Sequence, residues 1–245
     1  MACNAGPDII EDGLVLCLDA ANINSYPKSG TTWSDLKSSN SGTLTNGPTF
    51  SSDNRGSVVF DGTNDYVDFG DISLLNFGTG DFTIECIYKT TYTSSQGKAF
   101  LCKSNGGAPS SGYGWLMVAF YNEVGFAAAS SGGSWGSSGS YIKRTTGANI
   151  NDGNFYTITV VADRSLSDVK IYKNAVLQNL TVWTGSGGDF STVGSISNSE
   201  NVRLGAESDG EFAFSGGVAA SKIYNRALTA EEVAQNYEAT VGRYT

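Results

Sequence analysis

The sequence predicts an all-β sandwich of short antiparallel strands. Three observations indicate this fold class: apolar and polar residues alternate along many short segments, Ser, Thr and Gly are abundant (31 glycines in 245 residues), and charged residues make up only 16% of the chain. Long helices depend on Ala, Leu, Glu and Lys, so this composition disfavours them. A sandwich of about 200–250 residues commonly forms one domain.

The strands can be followed along the chain by their period of two. Residues 82–89 place Phe82, Ile84, Cys86 and Tyr88 on one face. A hairpin is predicted from residues 115–120 and 123–128. Further strands are predicted at 14–18, 57–60, 66–69, 99–102, 155–162, 169–172, 176–177, 201–205 and 212–224. About a dozen strands at this spacing are typical of a sandwich or barrel.

One segment near the C-terminus breaks the strand pattern. Thr229 and Glu232 have the spacing of a capping box, in which each side chain binds the other residue's backbone N–H. Val233 and Tyr237 then share a face at i, i+4. We therefore predict a helix of about ten residues, ending near Gly242 and covering the sandwich. Residues 1–11 are predicted to be an N-terminal arm, either disordered or docked on a lattice, before a single domain at 12–245.

Composition excludes several classes of function. The chain has no histidine, so it cannot form a Ser-His-Asp triad, a Cys-His pair or a histidine metal site. Its net charge of −9 disfavours nucleic acid as a partner, because Lys and Arg provide that affinity. The N-terminus lacks a signal-peptide pattern, and no apolar run approaches the length of a membrane span. We expect neither secretion nor membrane insertion.

The cysteines predict thiols rather than metal or redox sites. None of them stands in a Cys-x-x-Cys pair. Three lie in apolar stretches, where a free cysteine behaves as a small buried hydrophobe. The four residues are Cys3, Cys17, Cys86 and Cys102.

Several segments of the sequence resemble those of a known family. They are Leu-Val-Leu-Cys-Leu-Asp-Ala-Ala-Asn (14–22), Gly-Thr-Leu-Thr-Asn-Gly-Pro (42–48), Phe-Asp-Gly-Thr-Asn-Asp-Tyr-Val (60–67) and Ile-Tyr-Asn-Arg-Ala-Leu-Thr-Ala-Glu-Glu-Val (223–233). Together they resemble the laminin G-like, concanavalin A-like jelly-roll domains of tailed-bacteriophage virion proteins. The resemblance covers residues 12–245 and implies two antiparallel sheets packed face to face. Ile87 stands where the family usually has Trp, and Ala175 where it usually has Gly after Asn174.

The resemblance implies a non-enzymatic structural protein on the phage particle surface, either a capsid decoration or a fibre-like component. Its location would be the virion, after synthesis in the host cytoplasm, and its partners other virion proteins such as capsid or fibre subunits. The alternative is a lectin-like adsorption protein that binds host-surface glycans. Self-association into a homo-oligomer stays open. No cofactor is required by any of these roles.

A glycoside hydrolase is a second alternative, because laminarinase-like hydrolases share the superfold. Their active strand carries Glu-x-Asp-x-Glu, and residues 207–211 read Glu-Ser-Asp-Gly-Glu. Two carboxyl groups on one strand face would suit a retaining mechanism. However, Ser208 and Gly210 replace the apolar residues that would anchor such a strand, and Asp-Gly is typical of a turn. We therefore predict a hairpin turn here and no enzyme.

Two kinds of binding site are predicted from side-chain chemistry. Glycan sites need flat aromatic faces backed by polar groups. The candidate contact residues are Trp135, in a Gly/Ser-rich loop that favours exposure, and Trp33, Tyr113 and Trp115. Structural calcium needs about 6–8 oxygen ligands. Such ligands are plentiful in the first part of the chain, and Asp19 and Asp65 are the candidates.

Overall fold

The computed structural model describes residues 7–105, 112–130, 135–137, 139–183, 188–207 and 212–243. Within these ranges the chain forms seventeen strands and one α-helix, α1, at Ala230–Val241. The strands are β1 Leu14–Asp19, β2 Thr32–Ser34, β3 Ser41–Thr45, β4 Thr49–Ser51, β5 Ser57–Asp61, β6 Tyr66–Asp68, β7 Phe82–Lys89, β8 Lys98–Ser104, β9 Gly114–Phe120, β10 Glu123–Ala129, β11 Ser140–Thr145, β12 Tyr156–Asp163, β13 Asp168–Lys173, β14 Val176–Leu177, β15 Leu180–Val182, β16 Arg203–Leu204 and β17 Ser215–Tyr224. No helix of this described part is long and apolar enough to cross a membrane.

The strands form two antiparallel sheets that face each other. The eight-stranded sheet has the order β14-β13-β12-β7-β17-β5-β4, and β1 also pairs with β17. The ten residues of β17 make this possible, since its first part pairs with β5 and its second part with β1. The nine-stranded sheet has the order β15-β11-β10-β9-β8-β16-β6-β3-β2. The predicted jelly-roll sandwich with a short C-terminal helix is confirmed.

Alternation along the strands builds the core between the sheets. Phe82, Ile84, Cys86 and Tyr88 of β7 all point into it, as predicted. Phe77 stacks on Phe82 with ring centroids 4.4 Å apart. Because burial of aromatic rings is the largest apolar contribution per residue, this layer holds the two sheets together.

Helix α1 covers the outer face of the eight-stranded sheet. The predicted capping box is present: the Glu232 backbone N–H donates to Thr229 Oγ1 (3.3 Å), and the Thr229 N–H donates to Glu232 Oε2 (2.9 Å). Val233 is buried against Leu228 and Tyr224. The helix therefore begins where the sequence predicted and buries an apolar face that β1 and β17 would otherwise expose.

The described part of the predicted arm lies against this helix. The Ile10 N–H donates to Asn236 Oδ1 (2.8 Å), and the Tyr224 hydroxyl donates to the Ile10 carbonyl (3.1 Å). Gln235 binds the Asp8 carbonyl (2.8 Å). Residues 7–11 are thus held by their own domain rather than disordered, and docking of the arm on a lattice stays a prediction. Residues 1–6 lie outside the described ranges.

A buried ion pair crosses the outer face of the eight-stranded sheet. Glu85 alternates with the core residues Ile84 and Cys86, so it points away from the core. Lys222 lies directly opposite Glu85 on the neighbouring strand β17, and Lys222 Nζ is 2.6 Å from Glu85 Oε1. Thr159 of β12 completes the row, with its hydroxyl 3.4 Å from Glu85 Oε2. This row links β17, β7 and β12 by charge and hydrogen bonds.

The buried thiols give a first testable prediction. Cys17, Cys86 and Cys102 are free and buried, as predicted, whereas Cys3 lies outside the described residues. Desolvation raises the pKa of Cys17 to about 11 and that of Cys102 to about 12, and it also raises the pKa of Cys86. Because the thiolate is the nucleophile, iodoacetamide at pH 8 should leave all three unmodified in the native protein and modify them in urea. Mass spectrometry of peptides checks this. Native labelling at the urea rate would contradict the buried placement.

The turn between β13 and β14 gives a second prediction. Asn174 and Ala175 both have positive φ, 49° and 61°, as a type I′ hairpin turn requires. Alanine in this region costs about 1 kcal/mol relative to glycine. Ala175→Gly should therefore raise the free energy of unfolding by up to about 1 kcal/mol, measured by urea denaturation. Ala175→Val is the control and should destabilise, because a β-branched residue fits positive φ poorly.

Candidate functional site

The structure buries three of the four predicted glycan-contact residues. Trp33 packs against Tyr26, and its indole N–H donates to Ser25 Oγ (3.2 Å). Trp115 lies in the core beside Phe77. Trp135 is 3% exposed, so the expectation of an exposed ring is wrong. A large aromatic ring gains most by leaving water, and none of these three rings has a free face for a sugar.

Tyr113, the fourth predicted contact residue, is partly exposed. Its hydroxyl donates to Glu200 Oε1 (3.2 Å). Desolvation and this hydrogen bond raise the pKa of Tyr113, which keeps the hydroxyl a donor. Tyr113 is therefore the one candidate of the four that the structure leaves partly exposed, and its hydroxyl is bound to Glu200.

An aromatic site that the sequence did not predict lies on the outer face of the nine-stranded sheet. We call it the aromatic ledge, and it consists of Phe120, Tyr121, Trp183 and Arg144. The Phe120 ring centroid is 4.7 Å from that of Trp183 and 4.7 Å from that of Tyr121. Trp183 is partly exposed and Tyr121 is exposed. The ledge therefore presents two accessible rings around a buried one.

Two glycines create the seat for Trp183. An ideal Cβ on Gly97 would lie 2.9 Å from the ring atom Cη2, and one on Gly125 would lie 3.4 Å from Cε3. The backbone N–H of Trp183 donates to the Ile142 carbonyl (3.1 Å), and this hydrogen bond continues the pairing of β15 with β11. The ring thus lies close to the sheet because its neighbours have no side chains there.

Hairpin geometry positions the rest of the ledge. Phe120 is the last residue of β9, and Tyr121 with Asn122 forms the predicted two-residue turn into β10. Tyr121 has a φ of 53°, and its N–H donates to the Ser94 carbonyl (3.0 Å). The turn therefore projects the Tyr121 ring past the end of the strand, next to Phe120.

The ledge carries positive charge on an acidic protein. The Arg144 guanidinium lies over the Phe120 ring, 5.4 Å from its centroid. Among the described residues Arg144 forms no salt bridge. Rings that can stack and a cation without an ion-pair partner are two components of a carbohydrate site.

The Glu-x-Asp-x-Glu sequence does not lie on a strand where the structure describes it. Strand β16 ends at Leu204, and Glu207 follows it as a buried, irregular residue whose carbonyl accepts from Arg203 Nη1 (3.0 Å). Residues 208–211, where a hairpin turn was predicted, lie outside the described ranges. The strand-borne carboxylate pair of a hydrolase therefore has no counterpart at Glu207.

The two predicted calcium ligands, Asp19 and Asp65, each bind a different group of the protein. Both Asp19 carboxylate oxygens accept from the Arg243 guanidinium at 2.6 Å. Asp65 Oδ2 accepts from the Asp61 N–H (3.0 Å), and desolvation raises the pKa of Asp65. In the described part of the chain no three Cys, Asp or Glu side chains converge on a metal-sized site. Structural calcium stays a prediction, and it would have to compete with Arg243 for Asp19.

The sequence family agrees with the fold. Residues 61–234 match the laminin G-type family described as the concanavalin A-like lectin/glucanases superfamily. This match spans most of the chain, so the chain belongs to that family. No curated protein sequence matches the chain as a relative.

Solved structures with the same fold include toxin binding domains and a sialidase. The chain is similar to the binding domain of Paraclostridial Mosquitocidal Protein 1 (TM-score 0.68, 14% identity, 92% of this chain and 52% of that chain) and to the botulinum neurotoxin serotype G binding domain (0.65, 16%, 91% and 50%). It is also similar to Trypanosoma rangeli sialidase in complex with sialic acid (0.66, 14%, 100% and 36%). It spans about half the length of the toxin domains, and at these identities the likeness shows the fold alone.

Proposed function

We propose that this chain is a non-enzymatic, lectin-like domain that binds host-surface glycans on the aromatic ledge. The observation that carries the proposal is the partly exposed Trp183 ring in contact with Phe120, over which the Arg144 guanidinium lies. A sugar ring stacks on Trp183, while its oxygens accept from Arg144. Two of the similar structures are binding domains and the third is a sialidase bound to sialic acid, which supports this class of function.

A glycan array tests the proposal. The intact chain should bind a restricted set of glycans, and the bound set should lose signal in high salt if Arg144 contacts charged groups. A blank array for the folded wild-type chain would contradict it. Fluorescent labelling should use the N-terminal amine at mildly acidic pH, so that the lysine side chains keep their charge.

The non-enzymatic part of the proposal has its own test. The chain should not hydrolyse β-glucans such as laminarin, because Glu207 is buried beyond the end of β16. Wild-type hydrolysis that disappears in Glu207→Gln and Glu211→Gln would contradict this and restore the hydrolase alternative.

A second candidate role is display on a phage virion, as capsid decoration or a fibre-like component. Besides the sequence resemblance, one arrangement favours it: residues 7–12 and α1 cover the outer face of the eight-stranded sheet, whereas the ledge lies on the outer face of the other sheet. Attachment on the α1 side would leave the ledge facing outward. Co-sedimentation with purified expanded capsids, beside binding to host cells, tests this role. Binding to cells with none to capsids would leave only the lectin role.

A further inference from the structure

A cavity opens on the outer face of the eight-stranded sheet, next to the first residues of α1. It has a volume of about 290 Å³. Val161 and Leu228, which are both buried, form an apolar part of its lining, and Thr229 and Ala230 lie on the helix side. That volume corresponds to about ten water molecules, which is enough for a small ligand with a short carbon chain.

Two carboxylates in the lining of this cavity stand opposite each other. Asp163 ends β12 and Asp168 begins β13, and the two residues are directly paired across the strands. Their neighbours Ala162 and Val169 point into the core, so both Asp side chains point outward, where they line the cavity. Like charges directly opposite each other on one face of a sheet destabilise it. A bound cation would remove this repulsion.

The protein occupies these carboxylates only in part. Asp163 Oδ1 accepts from the Ser165 hydroxyl (2.7 Å) and from the Leu166 N–H (3.0 Å), and neither bond uses Oδ2. Lys170 Nζ lies 3.6 Å from Asp168 Oδ2, and about half of each side chain is exposed. A contact of this length is too long for a hydrogen bond, and exposed pairs are weak. Oxygens of both carboxylates are therefore available to a ligand.

A buried hydroxyl in the same lining points independently to a ligand. Tyr172 is only 6% exposed, yet its hydroxyl makes no hydrogen bond within the described residues. The hydroxyl is not one of the fully enclosed polar atoms, so a ligand in the cavity can reach it. Desolvation raises the pKa of Tyr172, and the charges of Lys170 and Asp168 also act on it. The hydroxyl therefore lies near the carboxylates and stays neutral at pH 7, with its oxygen free to accept.

The charges around the cavity favour a cation over an anion. The lining holds two carboxylates and one ammonium, that of Lys170. The positive end of α1 is offset by Glu231 and Glu232 in its first turn. An alkylammonium group has three donors and no acceptor, which matches two carboxylates and one hydroxyl oxygen. Its carbon chain matches the apolar part of the lining.

We propose that this cavity binds an alkylammonium group. The ammonium donates to Asp163, Asp168 and the Tyr172 hydroxyl, and the carbon chain packs on Val161 and Leu228. Free aliphatic amines and lysine side chains share this group, and two probes distinguish them. The site is independent of the proposed glycan binding, since the ledge lies on the outer face of the other sheet.

Titration with n-butylammonium at pH 7, followed in proton–nitrogen correlation spectra, tests the proposal. Pentanoate and 1-butanol carry the same four-carbon chain with an anionic or a neutral head. Wild type should bind butylammonium saturably, with a Kd in the millimolar range, and the other two about tenfold more weakly or worse, because hydrogen bonds to charged groups are the stronger ones. Nα-acetyl-lysine methylamide is the second cationic probe. Both cationic probes should bind, and the tighter one identifies the source of the ammonium.

Four variants test the named contacts. Asp163→Asn, Asp168→Asn and Tyr172→Phe should each weaken butylammonium binding by about tenfold or more. Asp163→Asn keeps the Oδ1 acceptor of the β12–β13 turn, and Tyr172→Phe loses no protein hydrogen bond, so both should melt near the wild-type temperature. Lys170→Met should instead tighten binding, because it removes a like charge that competes for Asp168.

Two further variants control for general charge and for the ledge. Asp53→Asn removes a carboxylate that is 72% exposed between β4 and β5, at the opposite edge of the sheet, and should bind butylammonium as wild type does. Trp183→Ala should also bind it unchanged, and a loss there would place the amine on the ledge. Tighter binding of pentanoate than of butylammonium, or weaker butylammonium binding in Lys170→Met, would overturn the proposal. Equal binding by wild type and Tyr172→Phe, or no saturable binding by folded wild type, would also overturn it.

Discussion

Replacing Lys222 by Met should lower the free energy of unfolding by about 3–5 kcal/mol. Among the described residues, Lys222 is the one cation in an ion pair with Glu85, whose side chain is 1% exposed, while that of Lys222 is 5% exposed. A charged carboxylate left in this position has lost its 2.6 Å partner and keeps only the longer contact from Thr159. The cost is the desolvation of an unpaired charge. Urea denaturation at neutral pH measures it.

The double variant Glu85→Leu, Lys222→Met separates this cause from simple loss of packing. Replacing both partners by apolar residues of similar size is often neutral, so the double variant should recover most of the stability that Lys222→Met loses. Lys170→Met is the exposed control: its pair with Asp168 is 3.6 Å long and about half exposed, and it should cost less than about 1 kcal/mol. A double variant as unstable as the single one would contradict the explanation.

Replacing Trp183 by Ala should weaken glycan binding by about tenfold or more. Aromatic stacking platforms lose about 1–3 kcal/mol per ring when the ring is truncated, and about 1.4 kcal/mol is a tenfold change in Kd. Trp183 is also in contact with Phe120 and seated over Gly97 and Gly125, so its ring is already oriented before a ligand arrives. Isothermal titration with a glycan selected on the array measures the change.

Two variants control for unrelated effects on binding. Trp183→Phe keeps a smaller stacking face and should retain part of the affinity. Leu166→Ala removes an exposed apolar side chain from the β12–β13 turn, away from the ledge, and should bind as wild type does. Wild-type affinity in Trp183→Ala would show that the ledge is not the binding site.

The sequence predicted the elements whose signals are local. Alternation predicted β7 and β12, the capping box predicted α1, and the predicted strands at 169–172 and 176–177 lie on either side of the β13–β14 turn. It did not predict β2, β4 or β15, which have only three residues each and no readable period, nor the longer strands β3 and β11. β2 and β4 pair with the next strand along the chain, whereas β15 pairs with the distant β11, and long-range pairing of that kind is not encoded in a short window.

The ledge was missed for the same reason. Trp183 follows a three-residue strand, and its seat comes from Gly97 and Gly125, which are far from it in the sequence. One available signal was not used: β9 is apolar at every position from Trp115 to Phe120. A strand of that kind is buried on both faces, which means that its outer face must also be covered. Trp135 contributes to that cover, which is why its Gly/Ser-rich loop does not expose it.

The most direct test of the proposed glycan site follows the four tryptophan indole N–H signals in a proton–nitrogen correlation spectrum during titration with an array-selected glycan. The signal of Trp183, assigned through Trp183→Phe, should shift or broaden in proportion to occupancy. The signals of Trp33 and Trp115, which are fully buried between the sheets, should stay in place. Saturable glycan binding that leaves the Trp183 signal unmoved would contradict the account.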